Sequence, residues 1–415
     1  MTPASRSRWL GSLALAVAWL GLIAALTLTS APDQAARVSE TPWSCLACGD
    51  AGLTDVILNV LLFLPLGLLA RAAGWTVGRT VLTLLLLTVG IELAQANLLT
   101  GRDASLGDVL ANSSGGCIGW LLLPVLLRSA QPDRNFATRA AAGLLVLSGL
   151  LWLLGGRGIA VAFSADAPWV GQPLHLWPGH DQFRGSLQHA TINGTSIPND
   201  PLLAIPERLD SLDLVIDVTR RDTLVSQRPI SILRIVDAHQ QLQLSLTQRH
   251  GDLLLEYRAA ASRWLLRTPV WRFENAATIP ANVAWRWRWI RRADRVVLQS
   301  GPQAGPATES QIPLSATLGW AFVHPFAPAI GALAARWTLL WIGGWLGLLG
   351  WFSGWVGRGA VLTFGAAGIA TMAAAAAVTG LPVHPRELFL AALLFSLAAL
   401  AATVQRRRSR RIPEA

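Results

Sequence analysis

The sequence predicts an α-helical polytopic membrane protein with an external all-β, jelly-roll-like sandwich inserted between its fifth and sixth membrane spans. Three observations carry that prediction. Of 415 residues, 52% are hydrophobic and 14% are charged, whereas a soluble domain carries roughly 25% charged residues. Eight apolar stretches approach the length of about 20 residues that one bilayer crossing needs. Between the fifth and the sixth, polar Arg-rich sequence alternates with the period of strands.

The spans run over approximately 9–29, 54–73, 79–99, 106–127, 140–162, 337–357, 359–380 and 387–404. Arg6 and Arg8, an apolar run and Ser30-Ala31 resemble a signal peptide, but the run exceeds a typical apolar core and is read as the first span. Orientation follows from the arginines. With the N-terminus inside, Arg6, Arg8, Arg71, Arg79, Arg128, Arg134, Arg139, Arg358 and the tail run Arg406 to Arg411 are cytoplasmic. The short external loops keep only Arg37, Arg102, Arg336 and Arg386, which is the positive-inside bias. The expected location is the plasma (inner) membrane, with both termini cytoplasmic and the insert outside.

The net charge of +10 comes entirely from Arg, with no Lys, a usage that fits GC-rich bacterial coding. Nucleic-acid binding needs a basic face on a soluble module; here much of the excess lies in short loops and the tail, so topology explains it and no nucleic-acid partner is expected.

Four segments result: a membrane domain at 1–162, the β domain at 163–316, an interfacial connector at 317–336 containing Pro325 and Pro328, and C-terminal helices with a basic tail at 337–415. The β domain shows alternating runs at Leu212–Val218, Ile230–Val236, Leu242–Leu246 and Leu253–Tyr257, spaced as in a sandwich. Their order is similar to laminin-G-like or concanavalin-like jelly rolls, which often bind glycans. In the run Trp285-Arg286-Trp287-Arg288-Trp289, one strand face carries the indoles and the other the arginines. Exposed, Trp285, Trp287 and Trp289 are candidates to stack on sugar; buried, they are core. His175, His180 and His189 have no ligand spacing, and no metal site is expected. Cys45 and Cys48 form a C-x-x-C in an external loop, either a local disulfide or two thiols without a role.

Polar pairs mark the membrane domain: Asp55/Asn59, Glu92/Gln95 and Asp108/Asn112. Each is spaced i,i+3 or i,i+4 and so shares one helix face. With the orientation above, all three lie toward the external leaflet, with Asn59 about 6 Å deeper than Asp55. Ionisable residues in such places are costly and mark function by default. The structural alternative is interhelical glue of roughly 0.6 kcal/mol per bond, with Pro65, Gly67, Gly115 and Gly116 as a kink and close-packing sites. Three carboxyls beside one cation, Arg102, imply partial protonation, a bound cation or hydration.

The patterns Asn59-x3-Phe63-x-Pro65-x-Gly67, Glu92-x2-Gln95 and Arg102-x5-Asp108-x3-Asn112-x2-Gly115-Gly116 resemble the VanZ-like family of membrane proteins over residues about 50 to 127. The resemblance implies a cell-envelope setting and a link to tolerance of teicoplanin, a lipid-tailed glycopeptide. The added insert and the three further spans depart from that pattern.

No Walker A loop, G-x-S-x-G elbow, H-E-x-x-H helix or dinucleotide fingerprint is present. The expected function is therefore non-catalytic: binding of a lipid-linked or cell-wall glycan ligand through Asp55, Asn59, Glu92, Gln95, Arg102, Asp108 and Asn112, among membrane lipids and without a cofactor. Two alternatives stay open. One is an intramembrane enzyme using Glu92 or Asp108 as general acid or base on a lipid-linked saccharide or phospholipid. The other is a transporter or flippase relaying protons through its carboxylates.

Overall fold

A computed structural model describes residues 3–29, 42–99, 104–166, 168–174, 176, 179–197, 201–202, 212–221, 226, 228–324, 329–331 and 334–409. Arg102, Pro325, Pro328 and His175 lie outside the described residues. The chain divides into two compact units, Met1–Pro132 and Asp133–Ala415.

The first unit contains α1 (Pro3–Thr27), α2 (Gly52–Ala72), α3 (Val77–Leu98) and α4 (Leu106–Ala130). Long runs of Leu, Val and Ala make these helices, and short polar signals bound them. Gly74, at φ +82°, supplies the left-handed turn after α2 that a side chain disfavours. Thr76 then caps α3 by accepting from Arg79 N–H at 3.3 Å.

Close packing of α4 on α2 depends on missing side chains. A Cβ on Gly115 would stand 2.2 Å from Val60 O, one on Gly119 2.0 Å from Leu64 O, and one on Gly67 1.8 Å from Gly116 O. Gly115 and Gly119 are spaced as the small-x3-small pattern that lets membrane helices approach backbone to backbone. At the end of this bundle where α2 turns into α3, the Arg71 guanidinium lies 3.7 Å from the Trp120 ring centre and Arg79 lies 4.3 Å from that of Trp75. Trp120 Nε1 donates to Trp75 O at 3.0 Å.

The second unit begins with α5 (Arg134–Gly158) and passes into twelve strands: β1 (Trp169–Pro173), β2 (Gly185–Ile192), β3 (Thr195–Ser196), β4 (Pro201–Leu202), β5 (Leu212–Arg220), β6 (Ile230–Val236), β7 (Leu242–Arg249), β8 (Asp252–Tyr257), β9 (Val270–Phe273), β10 (Ala284–Arg291), β11 (Arg295–Pro302) and β12 (Thr308–Pro313). It closes with α6 (Ala334–Val356), α7 (Arg358–Thr379) and α8 (Pro385–Ser409).

The strands form two six-stranded sheets, ordered β4-β1-β6-β7-β8-β9 and β12-β11-β10-β5-β2-β3. The ladders within them are antiparallel. In β10, for example, alternation decides which side is buried. Leu214, Ile216 and Leu298 from one sheet and Leu244, Leu246 and Leu255 from the other share one core, the packing of a β-sandwich.

That core corrects one site expectation. Trp287 and Trp289 are 0% exposed, and Trp287 Nε1 donates to Ala276 O at 3.0 Å. Trp285 is half-buried and donates to Ser300 Oγ at 2.9 Å. The alternating row is core on its indole face, because burying a large ring is worth more than leaving it in water, so Trp287 and Trp289 offer no sugar-stacking platform.

On the opposite face of β10, Arg286 grips Asp217 through two bonds of 2.7 and 2.8 Å, and Arg288 grips Asp213 at 3.0 and 2.6 Å. Burial pushes the Asp217 carboxyl up, but hydrogen bonds from Arg286 and Gln303, with the Arg286 charge, outweigh it and hold the group below its ordinary value. A depressed folded value contributes stability above the unfolded pKa, near about 3.9, and loses it as pH falls through the folded one. The advantage of wild type over Asp217→Asn in urea-unfolding midpoint, followed by Trp fluorescence, is therefore expected at pH 6 and should shrink below about pH 4. A constant difference across that range contradicts the pairing.

Ala316–Phe322, where the β domain is expected to give way to a connector at 317, form a buried 3-10 helix. It fits against α5 where that helix is glycine-rich: a Cβ on Gly155 would meet Ala316 O at 2.7 Å, and one on Gly158 would meet the Phe322 ring. A second glycine seam joins α6 to α8, where a Cβ on Gly350 would stand 2.2 Å from Phe395 O and one on Gly354 2.4 Å from Ala399 O.

Among the described residues, seven helices, α2 to α8, are long and apolar enough to cross a membrane. The sequence predicts eight spans; the first corresponds to α1, whose described apolar stretch Gly11–Thr27 is shorter than that measure requires.

Candidate polar site in the first unit

The site lies at the end of the first unit where α2 begins, α3 ends and α4 begins. A loop braces it. Cys45 and Cys48 are joined by a disulfide, and the loop's carbonyls satisfy the first amides of α4: Leu106 N–H donates to Trp43 O at 2.9 Å and Gly107 N–H to Cys45 O at 3.1 Å. These amides have no partner within the helix, so the loop takes the place of water. Two glycines admit it. A Cβ on Gly52 would stand 2.3 Å from the Ala47 carbonyl carbon, and one on Gly107 2.3 Å from Leu46 O.

Ser105 is the N-cap of α4, and its Oγ accepts from Asp108 N–H at 3.0 Å. Its own N–H donates to Glu92 Oε2 at 2.8 Å. Asp108 Oδ1 in turn accepts from Asn59 Nδ2. Glu92, Ser105, Asp108 and Asn59 thus form one chain of polar contacts running from α3 through the start of α4 to α2. Glu92 is 7% exposed. A carboxyl so placed is costly unless its oxygens are satisfied.

One turn further along, Asn112 Nδ2 donates to Thr88 Oγ1 at 3.0 Å. Toward the end of α3, Gln95 Nε2 donates to Thr27 O at 2.9 Å and ties α1 to the seam. Thr88, Glu92 and Gln95 are spaced i, i+4 and i+7, so one stripe of α3 carries all three. Asp55 stands in the first turn of α2 and is exposed, where a negative charge suits the helix dipole. Glu92, Asn59 and Asp108 are therefore joined in one network, with Asn112 and Gln95 on the helices that form it. Sequence reading missed Thr88, Ser105 and Thr27. The first two had signals: Thr88 lies four residues before Glu92, and Ser105-x2-Asp108 is a capping pattern. Thr27 contributes only a backbone carbonyl, which no residue type announces.

Among the described residues, no three His, Cys, Asp or Glu side chains gather as metal ligands would. The chemistry on offer among the described residues is hydrogen bonding and charge.

Residues 14–127 match the family model described as VanZ/LLP1, so a VanZ-like domain is present there. The matched segment contains the Asn59–Gly67, Glu92–Gln95 and Asp108–Gly116 patterns and all of the network just described. No curated protein and no solved structure matches the chain.

Proposed function

We propose that this chain is a cell-envelope membrane protein whose VanZ-like domain binds a lipid-linked or glycan ligand at the polar end of α2, α3 and α4, on the outer leaflet. The observation that carries the reading is Glu92, a buried carboxyl wired through Ser105 to Asp108 and Asn59 inside helices of membrane-spanning character. Such groups are retained within spans for ligand, ion or proton work. Helix association alone gains little from them, because membrane hydrogen bonds average about 0.6 kcal/mol.

The outward orientation draws support from the arginine bias of the short loops and from the Cys45–Cys48 disulfide at this end of the unit, since disulfides persist in oxidising compartments. The sandwich is proposed as an external recognition module of the laminin-G or concanavalin-like kind; its two antiparallel six-stranded sheets suit that class. The setting is envelope biology, including tolerance of lipid-tailed glycopeptides.

The test compares wild type with Glu92→Gln and Asp108→Asn in reconstituted vesicles carrying labelled envelope lipid. Saturable binding is expected, weakened at least tenfold in either variant, without turnover or translocation. Turnover lost in the variants would instead establish the intramembrane enzyme, and lipid or ion movement the transporter. Variants indistinguishable from wild type in all three assays sink the functional reading.

A further inference from the structure

The amides of the polar site point one way. The nitrogen of Asn59 faces the Asp108 carboxylate, that of Gln95 faces the Thr27 carbonyl, and that of Asn112 faces the Thr88 hydroxyl. At Asn59 and Gln95 the assignment is forced, because a flipped amide would set oxygen against oxygen. The oxygen ends are left over. Gln95 Oε1 and Asn112 Oδ1 are buried and have no hydrogen-bond partner among the described residues, although the side chains are only 7% and 3% exposed. Buried polar atoms in folded proteins nearly always have partners, and each exception asks for an explanation such as a ligand.

The remaining functional groups share that polarity. Carboxyl oxygens of Glu92 and Asp108 already serve as acceptors, from the Ser105 N–H and from Asn59 Nδ2. Among the described residues at this end of the unit, no side chain carries a positive charge; Arg102, three positions before Ser105 in the sequence, lies outside them. The described part of the site is thus rich in acceptors, and each amide nitrogen has one N–H already engaged by the protein. Its complement is a group that donates several N–H bonds and brings positive charge, and contacts of that kind are the strong ones. A phosphodiester, which only accepts, is the wrong partner for these oxygens.

We propose that the polar site takes a protonated primary amine, carried by the headgroup of a membrane lipid, with Gln95 Oε1 and Asn112 Oδ1 accepting its N–H groups and Glu92 supplying the counter-charge. This rests on the ligand-binding reading above and narrows it to a chemical class.

The test uses the full chain in detergent and native mass spectrometry with short-chain lipids of one tail length. Phosphatidylethanolamine, which has a primary amine, is compared with phosphatidylcholine, which keeps the charge without N–H donors. Two further probes are phosphatidylglycerol, which has no cation, and N-acetyl phosphatidylethanolamine. Free ethanolamine and glucosamine at matched concentration separate a lipid-borne amine from a soluble or sugar amine.

The expected result is at least tenfold tighter binding of phosphatidylethanolamine than of the other three lipids, with the preference falling below threefold in Asn112→Leu and in Gln95→Met. Gln95→Met conserves length and flexibility, so one variant stays informative should Asn112→Leu fail to fold. Equal binding of phosphatidylcholine or phosphatidylglycerol, still weakened by Glu92→Gln, overturns the amine proposal and leaves a ligand site standing. Preferred binding of free glucosamine over every lipid overturns the lipid source. Lipid binding that ignores all three substitutions ends both this proposal and the reading beneath it.

Discussion

Gly115→Leu is expected to separate α4 from α2 and cost the first unit its fold. The Cβ alone would stand 2.2 Å from Val60 O and 2.8 Å from Val60 Cα. Those are backbone atoms within a helix, so no side-chain rotation relieves the clash. Overpacking a closed site costs about 1–3 kcal/mol, occasionally more, and a rigid backbone neighbour puts this substitution at or above the upper end. Separation of the helices also breaks the Asn59–Asp108 contact, so the polar site is lost with the seam. The measurement is monodispersity and thermal melting of the purified protein. Gly90→Leu serves as control, since nothing lies within 4 Å of a Cβ at Gly90 on α3. Equal melting of Gly115→Leu and Gly90→Leu would show that the seam is looser than the geometry implies.

The second large effect is expected at Glu387, in the second unit. Its carboxylate accepts from Ser315 Oγ at 2.8 Å, Thr317 Oγ1 at 2.6 Å and His384 N–H at 3.1 Å. The bond to His384 is the return half of a capping arrangement, with Pro385 as the first residue of α8 and Glu387 two positions later. The other two bonds hold the start of the buried 3-10 helix, where Ser315 also accepts from Thr317 N–H at 3.2 Å. One carboxylate therefore fixes the exit of the sandwich and the start of α8.

Glu387→Ala leaves three donors without that acceptor at a buried point. Hydrogen bonds to charged groups are worth roughly 1.5–3 kcal/mol, and orphaned buried donors cost about 1–3 kcal/mol each. A net loss of about 3 kcal/mol is expected, read as a lowered melting point and faster proteolysis around residues 315–324. Glu387→Gln, which keeps one acceptor oxygen, should lose about half as much. A change below about 0.5 kcal/mol in Glu387→Ala, the size of an ordinary surface substitution, would contradict the latch.

Much of this was legible beforehand for physical reasons. Long apolar runs at 54–73, 79–99, 106–127 and 337–404 reappear as helices because hydrocarbon-length hydrophobicity leaves few other structures. The runs at Leu212, Ile230, Leu242 and Leu253 became β5, β6, β7 and β8 because short apolar runs of strand length, bounded by polar residues, suit buried strands. Strand β12, Thr-Glu-Ser-Gln-Ile-Pro, carries no such run, being exposed or half-buried throughout, and reading from pattern passed over it. The 3-10 helix at 316–322 was hidden for the opposite reason: its burial comes from the glycines of α5, far away in sequence. In the polar site, helical spacing identified Asn59, Glu92, Gln95, Asp108 and Asn112. Spacing could not reveal that Glu92 holds the Ser105 amide, or that the amide oxygens of Gln95 and Asn112 stay without partners while their nitrogens are engaged. Those facts depend on how three helices face one another, which the period of a single helix does not encode.

The central claim is that the polar end of α2, α3 and α4 holds a ligand. Its most direct test is to purify the full chain from native membranes in mild detergent and identify by mass spectrometry what elutes with it, beside the double variant Glu92→Gln/Asn112→Leu. A defined lipid or glycolipid is expected at near-unit stoichiometry with wild type and absent from the variant at equal yield and equal melting behaviour. The same lipids in the same amounts on both proteins would contradict it, leaving the seam as a device for holding helices together.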